Sequence, residues 1–276
     1  MFAASLIVFR ETLEAALFVG IIAAATRQLA QRQRWLGAGV AIGGLGALVL
    51  ALLAERISTW ADGVGQDLVN VAILSVALVM LLWHCVWVAS HGREMAADAR
   101  RLGSSVAQGQ RKPWALLMAV ALAVLREGAE TVLFVAGSIT GAGPVDTLSM
   151  LLACALGLAG GAGLGGLMYF GLSRIPVQRL FAATNVLIAL LAASIASQLA
   201  KALIQAGLVE RWTLPLWDSS GWLAPDSLLG TLLHALVGYD ARPSGVQLAS
   251  YLAVLTFIYF GARRFSGSTR PAGHHR

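Results

Sequence analysis

Six ionisable residues stand where ionisable residues are rare. Arg10, Glu11 and Glu14 fall inside one apolar run, and Arg126, Glu127 and Glu130 fall inside another. On a helix turning about 100° per residue, Glu11 and Glu14 lie about 60° apart and Arg10 about 40° from Glu14. Each Arg-Glu-x-x-Glu motif therefore offers one acidic face with its arginine alongside, and carries one net negative charge. Four carboxylates converging from two helices present only oxygen donors, since neither motif holds a thiolate or an imidazole. Such a set favours hard cations (ferric iron, manganese, magnesium, calcium) over copper(I) or zinc. The arginines balance and orient the carboxylates while no metal is bound. The competing reading is a buried ion-pair network that only fixes helix packing. It leaves the second glutamate of each motif unexplained, because one arginine needs only one carboxylate.

Such motifs need helices that cross lipid. Of 276 residues, 58% are hydrophobic and 12% charged, far from the balance of a soluble domain. A hydrocarbon core of roughly 30 Å takes about 20 apolar residues per helix. The apolar runs predict seven transmembrane helices at about 2 to 26, 36 to 54, 68 to 90, 114 to 139, 146 to 172, 180 to 206 and 246 to 263. An internal repeat links them: RETLEAALFV (10–19) aligns with REGAETVLFV (126–135), the glycine-rich second run (Gly37, Gly39, Gly43, Gly44, Gly46) corresponds to the glycine-rich fifth (Gly157, Gly160, Gly161, Gly163, Gly165, Gly166), and Asn70-Val71 meets Asn185-Val186 one residue out of register. Three spans per copy means the second copy enters from the opposite side. The expected fold is thus an all-α integral membrane protein built as a 3+3 inverted repeat plus one C-terminal helix. Repeat one covers about 1–92, repeat two about 112–207, an outer loop 208–245, span seven 246–263 and a cytoplasmic tail 264–276. At 1.5 Å per residue, Arg10 to Glu14 lie roughly 13 to 20 Å along the first span and Arg126 to Glu130 roughly 18 to 24 Å along the fourth, near mid-membrane for both.

Alternate counting places Arg27, Arg32, Arg34, Arg93, Arg100, Arg101, Arg111, Lys112, Arg174, Arg179, Arg263, Arg264, Arg270 and Arg276 on one side, against Arg56, Lys201, Arg211 and Arg242 on the other. By the positive-inside rule the first group is cytoplasmic, which puts the N-terminus outside and the C-terminus in the cytoplasm. The net charge of +6 then reflects topology and gives no reason to expect a nucleic-acid partner. Cys85 and Cys154 form no CxxC pair and read as packing residues. No nucleophile, cofactor motif or His-rich site accompanies the glutamates, so an enzyme is not expected, nor is a tightly bound cofactor.

Several weaker candidates surround the motifs. Asn70, Asn185 and Gln198 either line a cavity or bridge helices. His84 belongs to an exit path or has an interfacial role. In the outer loop, Asp218, Asp226 and His234 accompany Trp212, Trp217 and Trp222 around an apolar run, Ser227 to Gly238, that is too short to span. This segment reads as a gate, a docking point for a periplasmic partner, or an inert cap. His274 and His275 in the tail are thin grounds for a metal site.

Paired Arg-Glu-x-x-Glu motifs in spans one and four of a seven-span chain resemble the iron permease family, which includes the oxidase-coupled high-affinity permeases of fungi and bacterial inner-membrane iron-uptake permeases. WDSSGWL (217–223) and LLHALVGYDARPSGVQLASY (232–251) are similar to the bacterial members. The resemblance implies that Glu11, Glu14, Glu127 and Glu130 coordinate iron during passage, with Arg10 and Arg126 required beside them. It implies that iron is the transported substrate and that the chain resides in the cytoplasmic membrane. It also implies delivery as ferric iron after oxidation outside, by a periplasmic iron-binding or iron-oxidising protein. Fungal members carry an additional acidic outer-loop motif, where this chain has the single carboxylate of Asp218.

Overall fold

The computed structural model describes residues 2–61, 66–139, 146–171, 177–224 and 227–266. The tail with His274 and His275, and Asp226, lie outside them. Eight helices follow one another: α1 (Phe2–Ala25), α2 (Arg32–Ala61), α3 (Gln66–Ala107), α4 (Trp114–Ile139), α5 (Thr147–Tyr169), α6 (Val177–Gln205), α7 (Leu228–Val237) and α8 (Gly245–Ser266). Their limits have local causes. Pro113 stands immediately before α4, where a missing N–H costs nothing and a fixed φ suits the first turn. Asp146 caps α5 by accepting from the Ser149 amide, and Ser227 caps α7 by accepting from the Gly230 amide. α7 stops at Gly238, whose φ of 72° is open to glycine at little cost. Arg32 donates to the Ala23 carbonyl at 3.2 Å, closing the end of α1.

The expected seven-span, 3+3 arrangement is not what forms. Among the described residues four helical stretches are long and apolar enough to cross a membrane by length and composition: Arg32–Ala54, Leu68–Val86, Thr147–Tyr169 and Thr184–Gln205. A shorter apolar stretch occupies Gly245–Gly261. α1 and α4 are not among the four, because each holds three charged side chains near its middle. Two further departures have simple reasons. α3 runs for 42 residues, roughly 63 Å at 1.5 Å per residue; hydropathy stops registering a helix where its side chains turn polar, as at Asp98, Arg100 and Arg101. The short run 227–238 forms a ten-residue helix, α7, that no count of spans includes.

The chain divides into two compact units, Met1–Ile73 with Glu94–Thr184, and Leu74–Arg93 with Asn185–Arg276. In the first, α1 packs on α5, α2 on α4, and α1 on α4. Glycines set the closest of these approaches: a Cβ at Gly161 of α5 would come within 2.5 Å of the Phe9 carbonyl oxygen of α1, and one at Gly43 of α2 within 2.6 Å of the Ala121 carbonyl oxygen of α4. Small residues at four-residue spacing are the ordinary means of bringing two backbones this close in lipid. Ile22, Leu36, Ala99, Val106, Leu116 and Val120 form a buried apolar cluster that ties the last part of α3 to α1, α2 and α4. Elsewhere on this unit large apolar side chains face outward, among them Leu45, Leu48, Leu151 and Leu156, a surface that calls for lipid.

The second unit contains the middle of α3, most of α6, and α7 and α8. Its segment from 208 to 244 is fastened by backbone bonds, with the Leu216 amide donating to the Pro243 carbonyl and the Ser219 amide to the Ala241 carbonyl, each at 2.9 Å. The Tyr239 hydroxyl donates to the Leu223 carbonyl at 3.0 Å and lies 2.7 Å from Ser219 Oγ.

Candidate metal centre

α1 and α4 carry the charged motifs, and the close packing of α1 on α4 brings the motifs together. Arg10 and Glu11 are each only 1% exposed, Glu127 is 6% and Glu130 8% exposed. Charged groups withdrawn this far from solvent are costly unless something compensates them. Part of the compensation is local. Arg10 uses one terminal nitrogen on each glutamate of its own motif, Nη1 at 2.8 Å from Glu11 Oε1 and Nη2 at 2.6 Å from Glu14 Oε1. Arg126 reaches its partners through Nε, 3.0 Å from Glu130 Oε1 and 3.9 Å from Glu127 Oε1.

The remainder is uncompensated. One carboxylate oxygen each from Glu11, Glu127 and Glu130 lies within 4.8 Å of the others, all three residues being buried. Oε2 of Glu11 and Oε2 of Glu127 are buried with no hydrogen-bond partner. Buried carboxylate oxygens without donors are rare and expensive. Two such oxygens, beside a third buried carboxylate held by Arg126, are what a multivalent cation would relieve, and all the donors are hard oxygens.

Glu14 is bound to Arg10 and is not one of the three. Asn70 sits half-buried on α3. Asn185, His84, Asp218 and His234 belong to the second unit; Asn185 is half-buried on α6 and His84 buried on α3. His234, in the last turn of α7, has Nδ1 2.8 Å from the Tyr239 carbonyl oxygen, so one ring nitrogen is already engaged. Asp218 is saturated: Arg242 donates from Nη2 at 2.7 Å and from Nε at 2.9 Å, and the Ser220 amide donates at 3.0 Å. The Arg242 guanidinium first, and the Ser220 hydroxyl and amide after it, hold the Asp218 carboxyl well below the usual carboxylate range.

Two features had no signature in the sequence. The motifs read alike, yet their arginines differ: the Arg10 side chain is 1% exposed and that of Arg126 39%. Gln198 of α6 donates from Nε2 to Ser194 Oγ at 3.4 Å while its Oε1 is buried without a partner. The one hint lies in the spacers. Thr12-Leu13 of the first motif is replaced by Gly128-Ala129 in the second, and Gly128 gives α2 room to bring Ala47 against it.

Helices with lipid-facing apolar surfaces, enclosing a knot of carboxylates with spare oxygens, define a multi-pass membrane protein of the ion-handling kind. Residues 1–262 match the model of the iron permease FTR1 family, and the chain belongs to that family of transporters; it is not an enzyme. It is 32% identical over 266 residues to the ferrous iron permease EfeU of Escherichia coli O157:H7, covering 94% of this chain and 92% of that one. To the ferrous iron permease EfeU of Yersinia pestis it is 28% identical over 283 residues, covering 99% and 98%. No solved structure matches.

Proposed function

We propose that this chain imports iron across the cytoplasmic membrane, with Glu11, Glu127 and Glu130 as the seat of the ion in transit, Glu14 supporting them, and Arg10 and Arg126 as the balancing charges. The observation that carries this reading is the trio of buried carboxylates, two of them with a donor-less oxygen, in a chain of the iron permease family. Like charges this close repel strongly in a medium poorer than water, and a cation is the natural relief. The donor set, oxygen throughout, suits ferric iron best. The relatives' names say ferrous iron; ferrous iron met outside and oxidised there accommodates both, and a periplasmic iron-binding or iron-oxidising protein is the partner that step needs. Arg27 just after α1, and Arg32 and Arg34 at the start of α2, favour a cytoplasmic location for that end of α1 and an outer one for its start.

The test is uptake of radiolabelled iron by cells lacking other importers, supplied as ferrous or ferric iron with and without an oxidant. Residues that merely hold a metal's ligands in place cost roughly 10–100-fold when mutated, so Glu11→Ala or Glu130→Ala should cost at least that while the protein still inserts. Normal uptake by both variants would end the proposal. A ferrous signal that an oxidant leaves unchanged would remove the ferric step alone.

A further inference from the structure

The two arginines do not hold their glutamates in the same way, and the difference bears on how an ion could leave. Arg10 is enclosed, and each of its terminal nitrogens is committed to a separate carboxylate, at 2.8 and 2.6 Å. It has nowhere to go without breaking the packing around it. Arg126 touches Glu130 and Glu127 through Nε, at 3.0 and 3.9 Å, with its side chain 39% exposed. Those two carboxylates are two of the three that make up the seat. Arg126 therefore stands over oxygens that an ion would take, while the donor-less Oε2 atoms of Glu11 and Glu127 mark the part of the seat it leaves uncovered.

Resting on the reading of this trio as the iron seat, we propose that Arg126 is a tethered stand-in cation that exchanges with the transported ion, whereas Arg10 is a fixed clamp. An arriving cation and the Arg126 guanidinium cannot share Glu130 Oε1 without strong repulsion. A long side chain already more than a third exposed withdraws at small cost, keeping its stem on apolar surface and moving its charged head outward. When the ion departs, the guanidinium returns to the same oxygens and hinders rebinding. This meets the general demand on a conducting site, to bind well enough to admit an ion and weakly enough to release it. A rigid cage of carboxylates around a trivalent ion would satisfy only the first half. Arg126 is thus a positioning residue that weakens the seat on purpose, and Arg10 strengthens it by holding Glu11 in place.

The two roles give opposite signs in one experiment. The full-length protein, purified in detergent, is titrated with ferric iron as its citrate complex and, separately, with ferrous iron under anaerobic conditions, and initial iron uptake is measured in parallel. Arg126→Gln should bind iron roughly tenfold tighter, the size of one removed charge interaction in a partly wet site, and should take up iron more slowly at saturation. Arg10→Gln should bind more weakly. Arg126→Lys, which keeps the charge but loses the Nε donor, should lie between wild type and Arg126→Gln, and it serves as the test variant should Arg126→Gln not fold. A merely structural arginine would weaken binding in every variant. Binding no tighter than wild type in both Arg126 variants would overturn the exchange and leave the iron seat standing; no binding by the wild type would overturn both.

Discussion

Acidic side chains in two regions of this protein have been settled in opposite ways. In the loop of the second unit every described carboxylate with a close base is matched to it: Asp218 to Arg242 at 2.7 Å, Asp240 to Lys201 at 3.6 Å. Asp240 also accepts from the Arg242 amide and from Gln247 Nε2. These acids have spent their charge on shaping the chain. In the first unit, Glu11, Glu127 and Glu130 share one small buried volume and leave two oxygens with no donor at all. Solvent would have satisfied the loop acids in any case, so their pairing fixes geometry and contributes little energy. The donor-less oxygens of Glu11 and Glu127 have no such match, and on the proposed reading a cation supplies it.

The largest expected effect comes from removing that reserve without changing shape. Glu127→Gln keeps the volume and the hydrogen-bonding atoms and removes one charge of the trio. Iron uptake should fall by roughly 10–100-fold or more, by analogy with the loss of supporting groups at metal sites, while the unfolding temperature stays level or rises, because a donor-less buried carboxylate is a cost to the fold. Thermal unfolding in detergent, alongside uptake, checks both halves. If the variant transported normally, the glutamates would be packing charges like those of the loop, and the contrast between the regions would vanish.

That contrast was only half readable in the sequence. Charged residues inside apolar runs announced the motifs, and the limits of α1 and α4 follow from clear stops, a proline before α4 and a basic stretch after α1. The number of membrane-crossing helices was not readable by the same means. Hydropathy counts α1 and α4 as spans only by overlooking the charges that make them interesting, and it loses α3 where the helix continues past its apolar part. Within the site, four glutamates in two identical motifs look equivalent on paper. What differs around them is the company brought by other helices: Gly161 of α5 lies against Thr12 beside Glu11, and Ala47 of α2 against Gly128 beside Glu127. No spacing rule within a single helix contains that information.

An intermediate effect tests whether helix approach supports the trio. Gly161→Ala places a methyl about where the Phe9 carbonyl oxygen and Thr12 Cβ already are, and overfilling a tight contact typically costs about 1–3 kcal/mol. Gly163→Ala, two residues on and with nothing within 4 Å, is the internal control and should be neutral. The expected result is a lowered unfolding temperature and reduced uptake for the first variant only. Equal behaviour of the two would mean that α5 does not hold α1 in register.

The smallest effect belongs to the loop, and its direction follows from how Asp218 titrates. Arg242 and Ser220 depress its folded-state pKa, so the ordering it contributes is fully present above the unfolded value of about 3.9 and is lost only as the pH falls below that and through the depressed folded value. Across the range in which uptake can be assayed, Asp218 stays ionised and paired. Asp218→Asn at neutral pH therefore mimics a state that the wild type reaches only in strong acid. It should speed proteolysis within 209–224 a few-fold, since an exposed pair adds little to stability, and leave iron uptake near the wild-type rate. A loss of uptake as large as that of Glu127→Gln would show that this aspartate handles the ion despite its arginine, and would erase the distinction between acids that shape the chain and acids kept for cargo.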